Sequence, residues 1–155
     1  MKRGDDTLLF LSQYNMTAHA LLFTLAAIGI AETAYLIRKR IAAEKPICFI
    51  GHDCSIVLTS TYNKIFGIIH NDIAGFLFYI GISIITAFLV IGIEPLFLWE
   101  LCAKLMIVAG VILSLFFIYV QWRIIQTWCF WCLMSAFTIF SMAFIVIVSN
   151  LILSY

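Results

Sequence analysis

The chain predicts an all-α integral membrane protein, an up-down bundle of four transmembrane helices with a partly helical loop between helices 1 and 2. Three observations carry the prediction. The 155 residues are 65% apolar and 11% charged, with a mean hydropathy of +1.12, which no ordinary soluble domain shows. Four stretches are each long enough to cross a hydrocarbon core of roughly 30 Å. The later connections are so short that successive helices must be antiparallel neighbours.

The first stretch runs from Met16 to Ile37. Ahead of it, Thr7–Asn15 is short and mixed and reads as an interfacial segment. Lys2 and Arg3 resemble the start of a secretory leader, but Asp5 and Asp6 follow and the apolar run is too long for a leader's core. The helix is therefore read as retained. The loop 38–72 is the one long connection. Pro46 and Gly51 interrupt it, and Ser55–Phe66 reads as a short helix whose β-branched residues make it a poor one. The second stretch, Ile73–Ile93, carries no charge, and Glu94-Pro95 turns the chain into the third, Leu96–Trp122. Glu100 and Lys104 near its start have the i, i+4 spacing of an ion pair. Arg123–Gln126 leads into the fourth, Thr127–Leu153. No repeat divides the sequence, so residues 1–155 read as one membrane domain.

Four of the five cysteines lie at water-facing ends of these stretches, as Cys48-x5-Cys54 and Cys129-Phe130-Trp131-Cys132. The loop follows one crossing and the second pair follows three. Parity alone then places both pairs on the same membrane face. Two thiols three residues apart at a helix start share one side of the helix, over its partially positive end. That setting favours the thiolate, the reactive species in disulfide exchange. A zinc site of four thiolates, a pair of inert packed thiols, or a static loop disulfide are the alternatives. The Phe-Trp filling and the position at a membrane helix start favour a relay of electron pairs. Cys102 reads as a small core hydrophobe near the opposite face. His52 and His70 read as ordinary loop histidines, although His52 lies between the loop cysteines. Glu32, inside an apolar run, is expected to snorkel or pair near Arg38–Arg40. A net charge of +1 provides no basic field for nucleic acid.

In order along the chain stand Cys48-x5-Cys54, Ser60 six residues later, Asn71-x3-Gly75-x3-Tyr79, and Cys129-x-x-Cys132. This pattern resembles the vitamin K epoxide reductase family, in its prokaryotic disulfide-forming branch, from Ala18 to Asn150. The resemblance implies that Cys132 stands beside a quinone of the menaquinone or ubiquinone type. It implies that Cys129 exchanges with Cys48 and Cys54, which meet an external thiol protein. Ser60, Asn71 and Tyr79 match positions near the quinone ring. Animal members carry a tyrosine one turn after the second cysteine, where this chain has Ala136. That departure points to quinone reduction and away from epoxide reduction. Many prokaryotic members also carry a fused thioredoxin-like domain. This chain ends at Tyr155, so a separate thioredoxin-fold (DsbA-like) partner is expected.

Orientation is contested by the charges. Arg38, Lys39, Arg40, Lys45, Lys64 and Arg123 lie on the cysteine side, against Lys2, Arg3 and Lys104 on the other. Positive residues favour the cytoplasm, whereas the family's usual arrangement in the cell membrane faces outward. The outward arrangement is the expectation, with the inward one as its alternative. A DsbB-type oxidase would carry its CxxC after the first helix, the reverse of the order here. A non-catalytic or metal-binding bundle is the alternative of a different class.

Overall fold

The computed structural model describes residues 2–48, 57–58, 60, 64–65 and 69–153. Four helices dominate: α1 (Lys2–Ile41), α2 (Asn71–Ile91), α3 (Leu96–Tyr119) and α4 (Phe130–Leu153). α3 continues directly into a π-helical turn, Val120–Ile125. Each helix includes a span long and apolar enough to cross a membrane: Met16–Ile41, Asn71–Ile91, Leu96–Ile125 and Phe130–Ser149. Between α1 and α2, β1 (Lys64–Ile65) pairs antiparallel with β2 (Ile69–His70). α1 packs on α2, α2 on α3, α3 on α4 and α4 back on α1. The result is a closed four-helix ring and a multi-pass membrane protein.

Three boundaries differ from the sequence reading. Thr7–Asn15 is not a separate segment but continues α1 without a break. The helix expected over Ser55–Phe66 gives way at Lys64 and Ile65 to the short ladder, where a β-branched residue suits a strand better than a helix. The fourth helix begins at Phe130 instead of Thr127, because the π-turn ends on Gln126 in the left-handed region (φ 54°) and Thr127–Cys129 are non-helical. His52 lies outside the described residues.

Lipid tails are as apolar as leucine, so helices here gain little by hiding hydrophobic surface from lipid. Close packing holds them together instead. The core draws on every helix: Leu22 and Ala26 from α1, Tyr79 and Ile82 from α2, Ile107 from α3, Ile139 and Met142 from α4. Gly29 is the tightest point. A methyl group there would collide with the ring of Tyr79, itself fully buried. Hydroxyls inside the spans are satisfied locally, Thr33 donating to Gly29 O at 2.7 Å and Thr86 to Ile82 O at 2.8 Å. Large apolar residues such as Phe23, Leu77, Ile112, Phe137 and Phe144 face outward. At the end of α2, Gly92 adopts φ 80° and its N–H caps Phe88 O at 3.0 Å. This is the left-handed helix stop that glycine adopts without strain.

The two ends of the bundle differ. At one, His19, Leu89, Glu100, Lys104 and Ser149 come together, with Lys104 Nζ 2.7 Å from Glu100 Oε1 as the spacing predicted. At the other, the C-terminal part of α1 meets the starts of α2 and α4 and the end of α3. Arg40 Nε there lies 2.9 Å from Asp72 Oδ2, although its N–H is not aimed at that oxygen. Asp72 is almost fully buried, so this charge contact joins α1 to α2 where water is scarce. Of Glu32, expected to snorkel or pair near Arg38–Arg40, the Oε2 atom is buried with no hydrogen-bond partner among the described residues.

Gly29→Ala is expected to lower the stability of the detergent-solubilised protein by about 1–3 kcal/mol through overpacking against Tyr79. Thermal unfolding measures it, and an unchanged midpoint would contradict the close α1–α2 approach.

Candidate functional site: a dithiol at a helix start beside a buried cavity

The N-terminus of α4 is built from Cys129 outward. Leu133 N–H donates to Cys129 O at 3.1 Å, the first bond of the helix, so Cys129 is its N-cap. The carbonyl of an N-cap residue starts the ladder while its side chain can accept from the N–H two or three residues on. Here the cap atom is sulfur: Cys132 N–H points to Cys129 Sγ at 3.4 Å. Cys129 is fully buried, and Cys129, Cys132 and Cys102 are free thiols. A hydrogen bond from the Cys132 thiol, helped by the N–H groups of Cys132 and Trp131, holds the Cys129 thiol below its ordinary value despite its burial. The positive end of the helix acts in the same direction.

The loop is held against this site by its aromatic neighbours. Trp131 Nε1–H donates to Ile47 O at 2.8 Å, and Ile47 N–H donates to the Tyr35 hydroxyl at 3.3 Å. The Tyr35 and Trp131 rings lie 4.6 Å apart, so the two side chains grip both backbone groups of Ile47. The next residue, Cys48, is disulfide-bonded. Cys48 packs with Cys132 around the buried pair Val57 and Cys129. Cys54 lies outside the described residues.

Behind the dithiol, between the helices, is a cavity of about 110 Å³. Cys132, Trp131, Asn71, Asp72, Phe78 and Ile139 are on its wall. Asp72 Oδ1 is buried there without a hydrogen-bond partner among the described residues. Ala136 occupies the wall one turn beyond Cys132. Of the residues the sequence singled out, Cys132 and Asn71 meet at this cavity, and Cys129 and Cys48 meet beside it. Ser60 and Tyr79 stand apart from the wall. Ser60 Oγ donates to Val57 O at 2.8 Å and so closes the turn that carries Val57 onto Cys129. Tyr79 is buried behind the wall, its hydroxyl 2.8 Å from Ser135 Oγ, and Ser135 is the residue that reaches the cavity.

Sequence reasoning missed three participants. Asp72 stands beside Asn71 and lines the same cavity. Tyr35 accepts from Ile47 N–H and stacks near Trp131. Gln121, buried at the π-turn, accepts from Cys129 N–H at 2.8 Å. An amide in an apolar run was the only available signal for it.

A polytopic bundle with a buried dithiol at a helix start, a disulfide-bonded loop cysteine against it and an adjoining cavity defines a membrane thiol oxidoreductase. The chain belongs to the vitamin K epoxide reductase family, whose sequence pattern matches residues 20–147. Its members are quinone-linked oxidoreductases of thiols, and that general activity extends to this chain. No curated protein matches the chain.

In the reduced protein, thiolate absorbance in the ultraviolet is expected to titrate in part below the ~8.5 of an unperturbed cysteine. That component disappears in Cys129→Ser. A lowered value means the thiolate persists as pH falls, until the lower value is passed, so disulfide exchange at Cys129 stays fast where an ordinary thiol is already protonated.

Proposed function

We propose that the protein reoxidises a separate thioredoxin-fold dithiol protein through Cys48 and Cys54. Electrons then pass to Cys129 and Cys132 and on to a membrane quinone of the menaquinone or ubiquinone type, which drives protein disulfide formation. The observation that carries this reading is the spatial order of Cys48 against Cys129 with Cys132 on the cavity wall.

In this relay the partner's thiolate attacks the Cys48–Cys54 disulfide, and its second thiol resolves the mixed disulfide. The partner leaves oxidised and the loop pair is left reduced. A loop thiolate then attacks Cys129 when the inner pair is a disulfide, which restores the loop disulfide and leaves Cys129 and Cys132 as a dithiol. The quinone supplies a two-electron, two-proton acceptor, leaving as quinol while the inner pair closes to a disulfide again. Exchange falls to Cys129 because Cys48 packs against it. Delivery suits Cys132 because it is the cysteine on the wall.

The cavity offers one face to a quinone head. At about 110 Å³ it is smaller than the ~150 Å³ of an engineered cavity that takes a benzene ring, so the ring would be received only in part, against apolar faces from Phe78 and Ile139. The Asn71 amide supplies a hydrogen-bond donor for a ring oxygen, and the unpartnered Asp72 Oδ1 an acceptor for a quinol hydroxyl. Such a site is a mostly apolar pocket with few polar groups. Ala136 leaves no phenol on that wall, which favours simple quinone reduction over epoxide reduction. Ser60 and Tyr79 act from behind, through Val57 and Ser135. The membrane domain is proposed to work as one unit over residues 1–155, with its active face outside the cytoplasm. The excess of positive residues on that face makes an inward orientation the specific alternative.

With a small dithiol as donor, Cys132→Ala is expected to abolish quinone reduction in purified protein, whereas Cys48→Ala retains it. Equal loss in both variants sinks the relay order. In intact cells, a membrane-impermeant maleimide is expected to label Cys54 of the reduced protein. Labelling only after lysis would establish the inward orientation.

A further inference from the structure

We propose that Gln121 is a positioning residue for the inner dithiol: its side-chain oxygen fixes the backbone of Cys129 at the N-cap of α4, which keeps the Cys129 sulfur on the N–H of Cys132. The inference rests on the proposed relay for its significance, but its geometry stands independently.

The need for such a residue follows from helix ends. The N–H of an N-cap residue has no acceptor within its own helix. Where the third helical residue is Glu or Gln, its side chain bends back to accept it and closes a capping box. In this chain that third residue is Cys132, whose short thiol cannot do so and is reserved for chemistry. Cys129 is fully buried, so water is no substitute, and a buried N–H left unpaired is strongly disfavoured. Gln121, eight residues earlier, supplies the acceptor through space at 2.8 Å.

The amide can point only one way. Its Oε1 faces a donor, Cys129 N–H, while its Nε2–H donates to Phe117 O at 3.3 Å. Gln121 is 2% exposed, so both bonds are sheltered from exchange with solvent. It sits on the π-helical turn Val120–Ile125, a feature often found at functional sites. The next three residues, Gln126–Thr127–Trp128, bring the chain back to present Cys129. Gln121 also lines the cavity. One side chain thus joins the end of α3, the start of α4 and the wall beside Cys132. Without the acceptor, the Cys129 peptide must turn toward another partner. That turn carries the sulfur off the Cys132 N–H at 3.4 Å and removes a stabilising bond from the thiolate.

The test uses the full-length protein in detergent, with no quinone and no partner. Gln121→Met keeps length and apolar volume but has no acceptor. Its expected effect is a move of the Cys129 thiolate titration by about one unit toward the ordinary value, which is about tenfold less thiolate below it. In a glutathione redox buffer, the inner pair is expected to shift about tenfold toward the disulfide, since the reduced form has lost its stabilised thiolate. Gln121→Glu, neutral in so buried a setting, keeps the acceptor oxygen and is expected to stay within about threefold of the wild type on both readouts. It also keeps the test alive should the methionine variant not fold. Val120→Ala, buried on the same turn, is expected to lower the melting temperature while leaving both readouts unmoved. A wild-type titration and redox equilibrium in Gln121→Met, or an equal shift in Val120→Ala, overturns the proposal. A wild-type protein that reduces no quinone, together with the shift in Gln121→Met, would reject the proposed function and leave this inference standing.

Discussion

Hydrocarbon has no hydrogen bonds to give a peptide group, and that constraint shapes the whole molecule. Each span must close its own backbone ladder, so along the spans the polar backbone is unavailable for chemistry. Only the helix ends, where ladders start and stop, keep N–H and C=O groups with something still to bind. Cys129 sits at one of these ends and uses it twice, its carbonyl opening α4 and its sulfur capping Cys132 N–H. An odd number of crossings before Cys48 and before Cys129 then brings both to the same end of the bundle. The chemistry is local because the solvent around the rest of the protein forbids it elsewhere.

Packing takes over where the hydrophobic effect is weak. The approach of α1 and α2 at Gly29 and Tyr79 and the Arg40–Asp72 contact tie the two helices that flank the long loop. Removing Arg40 would leave the buried Asp72 carboxylate without its charge partner, so Asp72 depends on Arg40 more than Arg40, which is partly exposed, depends on it. This fixes the start of α2, where Asn71 and Asp72 reach the cavity, relative to the end of α1, where Tyr35 holds the loop. The cavity is therefore framed by constraints from all four helices and does not depend on the loop alone.

Much of this was legible in the sequence, and the limits have physical causes. The spans were readable because twenty apolar residues in a row have few other uses, and the shared face of the cysteines followed from counting crossings. Asn71 and Cys132, which the family resemblance singled out, both lie on the cavity wall. Gln121 was not singled out, because its partner is a backbone N–H, and a backbone group leaves no mark on a sequence. The start of α4 was misplaced by three residues for the same reason: the stop at Gln126 is a matter of dihedral angle in a run that is apolar throughout. Tyr79, matched by resemblance to a position near the quinone ring, stands one layer behind the cavity wall with its hydroxyl against Ser135.

Trp131 lies between the two inner cysteines in sequence, yet its indole N–H is spent on Ile47, the neighbour of Cys48. One side chain thus ties two cysteine neighbourhoods together: it stands between Cys129 and Cys132 in the chain and holds the backbone next to Cys48. A displacement of the loop at Ile47 is therefore felt at the start of α4, and a change at the start of α4 is felt beside Cys48.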